Sequence, residues 1–91
     1  MERREMKKYK LVLIEWEDSI LGYAGWKTIK DEPDRKTIIY SVGFIVRQNK
    51  NSITLYPHIS KKTDNEEFGA GDIIIPKSAI RKMKIWKGET T

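Results

Sequence analysis

The sequence predicts a mainly β domain: a small five-stranded barrel with a long first loop and a 3₁₀ turn before its last strand. Three observations point there. Runs rich in β-branched and aromatic residues are separated by Gly, Pro and Asn clusters; no apolar pattern of helical period is long enough for a helix; and Pro76-Lys77-Ser78-Ala79-Ile80 interrupts the chain just before its final run. In 91 residues there is room for one core. The expected organisation is a charged extension over 1–8, one domain over 9–86 and a disordered tail over 87–91.

Residues 1–8 are charged and expected to form at most a frayed helical turn. Strand one is expected over Tyr9–Trp16, and its unbroken apolar centre, Leu11 to Ile14, implies burial on both faces. Residues 17–36 form the long loop, with Gly22, Gly25 and the turn formers Asp31-Glu32-Pro33-Asp34. It carries Tyr23 and Trp26, and Trp26 reads either as a plug over one barrel end or as a stacking platform for a planar ligand. Strand two is expected over Thr37–Gln48, with Gly43 marking a bulge or bend. The polar turn Asn49-Lys50-Asn51 joins it to strand three, Ser52–His58, in which Ile53, Leu55 and Pro57 alternate with Thr54, Tyr56 and His58.

Residues 59–71 are polar and acidic, end in Gly69-Ala70-Gly71 and read as a flexible loop. Strand four is expected over Asp72–Ile75, then one 3₁₀ turn begun by Pro76, then strand five over Arg81–Trp86. This succession describes an SH3-like or Sm-like barrel. The competing oligonucleotide-binding barrel needs a helix between its third and fourth strands, and residues 59–71 make a poor one.

Composition narrows the function classes. Cysteine is absent, so no disulfide or thiolate metal site exists, and a cytoplasmic setting is expected. The apolar runs are too short to span a bilayer. Eighteen Lys and Arg against thirteen Asp and Glu give a formal charge of +5, which favours anionic partners such as nucleic acid or nucleotides. A core this thin also favours association of the chain with itself.

The sequence does not read as an enzyme, and no cofactor is expected. His58 is the only histidine, and no spacing turns Asp18 and Ser19 into a nucleophilic set with it. The carboxylates Asp64, Glu66 and Glu67 read as a solvated charge run, with no metal site expected. Anion binding is better supported. Lys77 and Ser78 fall on a turn whose first amides lack internal partners, Arg81 follows one turn later, and His58, Ser60 and Lys61 lie where the chain returns to strand four. Tyr56 and Trp26 would then stack on bases, whereas Trp16 and Trp86 read as core or interface residues.

The ordered set Trp16-Glu17-Asp18-Ser19, Gly25-Trp26, Ser41-Val42-Gly43-Phe44, Pro57-His58-Ile59 and Ile75-Pro76-Lys77-Ser78-Ala79-Ile80 resembles small bacteriophage-encoded proteins over residues 9–86. In size, charge and lack of catalytic residues the chain is similar to anti-CBASS sponges, which hold the cyclic oligonucleotide signals of bacterial immunity without cleaving them. That resemblance implies a homo-oligomer, tetrameric in such sponges, in the cytoplasm of an infected bacterium. It would have pockets for a cyclic di- or trinucleotide between subunits. Trp26 and Tyr56 would stack on bases, and His58, Lys77, Ser78 and Arg81 would hold phosphates. Two other readings remain open: an Sm-like RNA or single-stranded nucleic acid binding barrel, and a protein-interaction module that inhibits a host protein.

Overall fold

The computed structural model describes residues 9–19, 25–63 and 65–88. Among the described residues seven strands and two 3₁₀ turns follow one another: β1 (Lys10–Asp18), a 3₁₀ turn (Ile29–Asp31), β2 (Thr37–Gln48), β3 (Ser52–Tyr56), β4 (His58–Thr63), β5 (Glu66–Ala70), β6 (Ile73–Pro76), a second 3₁₀ turn (Lys77–Ala79) and β7 (Ile80–Ile85). The protein is therefore mainly β. Its body is a five-stranded antiparallel sheet in the order β6-β3-β2-β1-β7, and β4 pairs only with β5, in a separate ribbon.

β2 has the bounds read from the sequence. β3 ends two residues earlier than expected, because Pro57 cannot donate to a ladder and the chain bends there. The larger correction is residues 59–71. Most of that stretch belongs to the ribbon, with His58 opposite Ala70 and Ile59 opposite Gly69, and among its described residues only Gly71, at φ +78°, adopts a backbone reserved for glycine. Gly43 marks no bulge. It stays in register opposite Val12, and a Cβ there would lie 3.2 Å from Leu55 Cβ and from the Tyr56 carbonyl, so glycine is present because β3 passes close by. The bulge in this strand pair falls between Ile45 and Arg47. The extension 1–8, Tyr23, Asp64 and the end of the tail lie outside the described residues.

The expected hairpin turn is present and its cause is visible. Asn49 Oδ1 accepts from the amides of Asn51 (2.7 Å) and Ser52 (2.9 Å), holding the chain in the reversal from β2 to β3. At the far corner three residues join the two edge strands. Five strands laid flat put their edges about 19 Å apart, and the four-residue step from Pro76 to Ile80 spans at most about 14 Å, so the sheet must curl there. The Lys77 amide donates to the Asn51 carbonyl at 2.8 Å and fixes the curl to the β2–β3 turn. β6 and β7 themselves are not paired, and the sheet stays open.

The concave face holds the core: Val12, Ile14, Trp16, Ile53, Leu55 and Ile75, with Ile39, Ile45, Ile73, Ala79 and Ile80 packed around them. Trp16 belongs to it, and its indole N–H donates to Ser41 Oγ at 3.0 Å, so the buried polar atom is satisfied. Burial of β1 on both faces is not observed. Leu13 is 39% exposed, because the register puts it beside Val42 on the convex face, which among the described residues stays open there. With a radius of gyration of 17.7 Å, against about 12 Å for a compact chain of this length, the molecule is elongated.

Candidate functional site

The residues expected to form one recess are separated within the chain. Ser78 and Arg81 share an open cleft of about 940 Å³ with the first loop. Tyr56 lines a different, smaller cleft between sheet and ribbon. His58, Ser60 and Lys61 stand on β4, and none of the three lines the Ser78–Arg81 cleft. Trp26 is fully exposed at 102%, with Ile29 at 87% in the same loop, so the plug reading of Trp26 is overturned: its ring is packed against none of the described residues.

The Ser78–Arg81 cleft is less suited to an anion than its sequence suggested. Glu17, Asp18 and Glu32 line it along with Lys27, Arg35 and Arg81, three carboxylates against three cations. Arg81 Nε lies 3.6 Å from Glu15 Oε2. Glu32 is clamped between Lys27 (2.9 Å) and Arg35 (2.7 Å), and the hydrogen bond from Lys27, followed by the Arg35 charge, holds its carboxyl below the usual glutamate value. The Lys77 amide, expected to be free for a phosphate, is taken by Asn51.

A second place combines aromatic surface with unpaired cations. On the convex face the register sets Lys84 beside Leu13 and Leu13 beside Val42, and Lys82 beside Glu15 and Glu15 beside Tyr40. Val42 and Tyr40 are 60% and 65% exposed. Past the end of β7 the Trp86 amide donates to the Leu11 carbonyl at 2.8 Å, which brings the half-exposed indole onto the start of β1. Gly88 lies so close to that ring that a Cβ would be 2.5 Å from it; Gly88 therefore backs one edge of the indole. The result is a slot of about 390 Å³ whose walls are Leu11, Leu13, Val42 and Trp86 and whose polar rim is Lys84 and Lys87. Among the described residues neither lysine has an ion-pair partner.

The slot can take a flat apolar group against the indole and an anionic group at the two ammonium ions. Sequence reasoning assigned Trp86 to core or interface and missed it. The available signal was the alternation of β7, which puts Lys82, Lys84 and then Trp86 on one side of the strand and Met83 and Ile85 on the other. The neighbours that complete the slot come from β1 and β2, and only the strand order supplies those.

Among the described residues no group of three or more His, Cys, Asp or Glu is placed to hold a metal ion, and no helix is long and apolar enough to cross a membrane. Compared with known proteins, the chain matches no family model, no curated protein and no solved structure.

Proposed function

We propose that this chain is an SH3-like or Sm-like binding module that holds phosphodiester-linked nucleotides without cleaving them, with the Trp86 slot as the base-binding element. The strand order β6-β3-β2-β1-β7, with a 3₁₀ turn linking the two edges, supports the fold name. One observation carries the ligand: the slot sets an indole and apolar walls beside two lysines free of ion pairs, in a chain of net charge +5. A base stacked on the indole would leave its flanking phosphate at Lys84 or Lys87.

That chemistry comes in two forms. The resemblance to phage sponges favours a ring-closed di- or trinucleotide, sequestered as an immune signal by a homo-oligomer in the infected cell. Trp26, Tyr56, His58, Ser60, Lys61, Lys77, Ser78 and Arg81 join that site only where a neighbouring copy brings them together. The basic last strand favours a linear single strand of RNA or DNA instead.

Titrating cyclic di- and trinucleotides and a linear oligonucleotide against indole fluorescence separates the two. Under the sponge reading a cyclic ligand quenches the emission, raises the melting temperature and is recovered intact on heating. A linear strand that binds better, with an affinity falling steeply with salt and a slope reduced by about one in Lys84→Gln, marks the second form. If neither ligand changes the emission or the melting temperature, the proposal fails.

A further inference from the structure

The outer edge of β7 carries a second binding surface. In the order β6-β3-β2-β1-β7 this strand has β1 on one side and, among the described residues, no strand on the other. Every residue from Arg81 to Ile85 is exposed. Which backbone groups face the open side follows from the register. The Trp86 amide donates to the Leu11 carbonyl, and in an antiparallel ladder bonded pairs recur at every second residue, so Lys84 with Leu13 and Lys82 with Glu15 are bonded pairs too. The N–H and C=O groups of Met83 and Ile85 therefore point away from β1, a template for a further strand.

The side chains say what such a strand should look like. Met83 stands opposite Ile14 and Ile85 opposite Val12, at the rim of the core, and both are exposed because the sheet ends at β7. Lys82 and Lys84 lie on the other side of the strand, and among the described residues neither has an ion-pair partner. A strand added here would set alternate side chains beside two apolar residues on one face and beside two ammonium ions on the other. Lysines on an edge deter an uncharged or basic strand, so they select an acidic one. The free edge of a second copy fits poorly: β6, Ile73–Pro76, holds no acidic residue, and Pro76 has no N–H to give. We propose that the β7 edge takes up an extended segment of another protein, alternating acidic and apolar residues, as an antiparallel sixth strand.

The test adds a short capped peptide of alternating glutamate and valine to the full chain and follows amide exchange by NMR. Without peptide, the Met83 and Ile85 amides should exchange much faster than those of Lys82 and Lys84; peptide should protect them saturably. The valine amides face β7 in this pairing, so methylating them should abolish binding, whereas methylating the glutamate amides should leave it intact. Glutamine in place of glutamate should weaken binding roughly fivefold. Lys84 is shared with the Trp86 slot, but a nucleotide seated there leaves the Met83 and Ile85 amides unprotected, so either reading can fail without the other. Protection that rises with chain concentration in the absence of peptide gives the edge to a second copy and overturns the proposal. Equal affinities for the two methylated peptides, an affinity unchanged by glutamine, or no saturable protection of Met83 and Ile85 overturns it as well.

Discussion

The two faces of the five-stranded sheet are built from the same strands by the same alternation, and they behave differently. On the concave side Val12, Ile14, Leu55 and Ile75 are sealed, and the curl at the second 3₁₀ turn brings Ala79 and Ile80 over them. On the convex side Leu13, Tyr40 and Val42 are as apolar and stand open. Burial, rather than composition, decides which apolar residues hold the fold together, at about 25 cal/mol per Å² removed from water. The open side contributes little stability, which leaves its rings and lysines available for binding.

The sharpest way to break this comparison is a matched pair of truncations. Leu55→Ala should cost about 2–5 kcal/mol, a large share of the stability of so small a domain, whereas Val42→Ala on the open face should stay within about 0.5 kcal/mol. Denaturant melts of both variants measure this, and equal losses would mean that the convex face is packed as well. Next in size is Trp86→Ala. It should weaken nucleotide binding by about 1–3 kcal/mol with little change in the melting midpoint; a large fall in that midpoint would make the indole a structural residue. Ser41→Ala strips the buried Trp16 indole of its acceptor and should cost about 1 kcal/mol or somewhat more, read from the same melts.

The smallest effect is a pH dependence in the first loop. Because the Glu32 carboxyl is held low in the folded chain, first by the Lys27 hydrogen bond, its contribution is complete above the ordinary value of 4.5 and is lost as pH falls through the lower folded value. A carboxyl titration by NMR should therefore give Glu32 a midpoint below 4.5 that rises in Lys27→Met. An unchanged midpoint would remove the clamp from the description of the loop.

What was legible in the sequence follows the same division. The alternation of β3 could be read because one side of it is buried, so the pattern repeats every second residue, whereas β2 is marked by its β-branched and aromatic run. The ribbon could not be read, since almost every described side chain of His58–Ala70 faces water and no burial imprints a period on it. For Trp26 the sequence leaves a plug and a stacking platform both open, since a glycine-rich loop carries no period that separates a buried ring from the fully exposed one observed. For the site, the cleft partners Ser78 and Arg81 could be paired from their spacing. The Trp86 slot depends on which strands are neighbours, and the distance along the chain from Leu11 to Trp86 conceals it.

That distance has a mechanical meaning. Leu11 is the second residue of the first strand and Trp86 follows the last, and the 2.8 Å bond between their backbones holds the two ends of the domain side by side. Any molecule seated in the slot would act as a reversible staple across nearly the whole polypeptide, shutting the widest loop that the fold contains. Occupancy should then slow fraying at both termini together, visible as matched protection from amide exchange in β1 and β7.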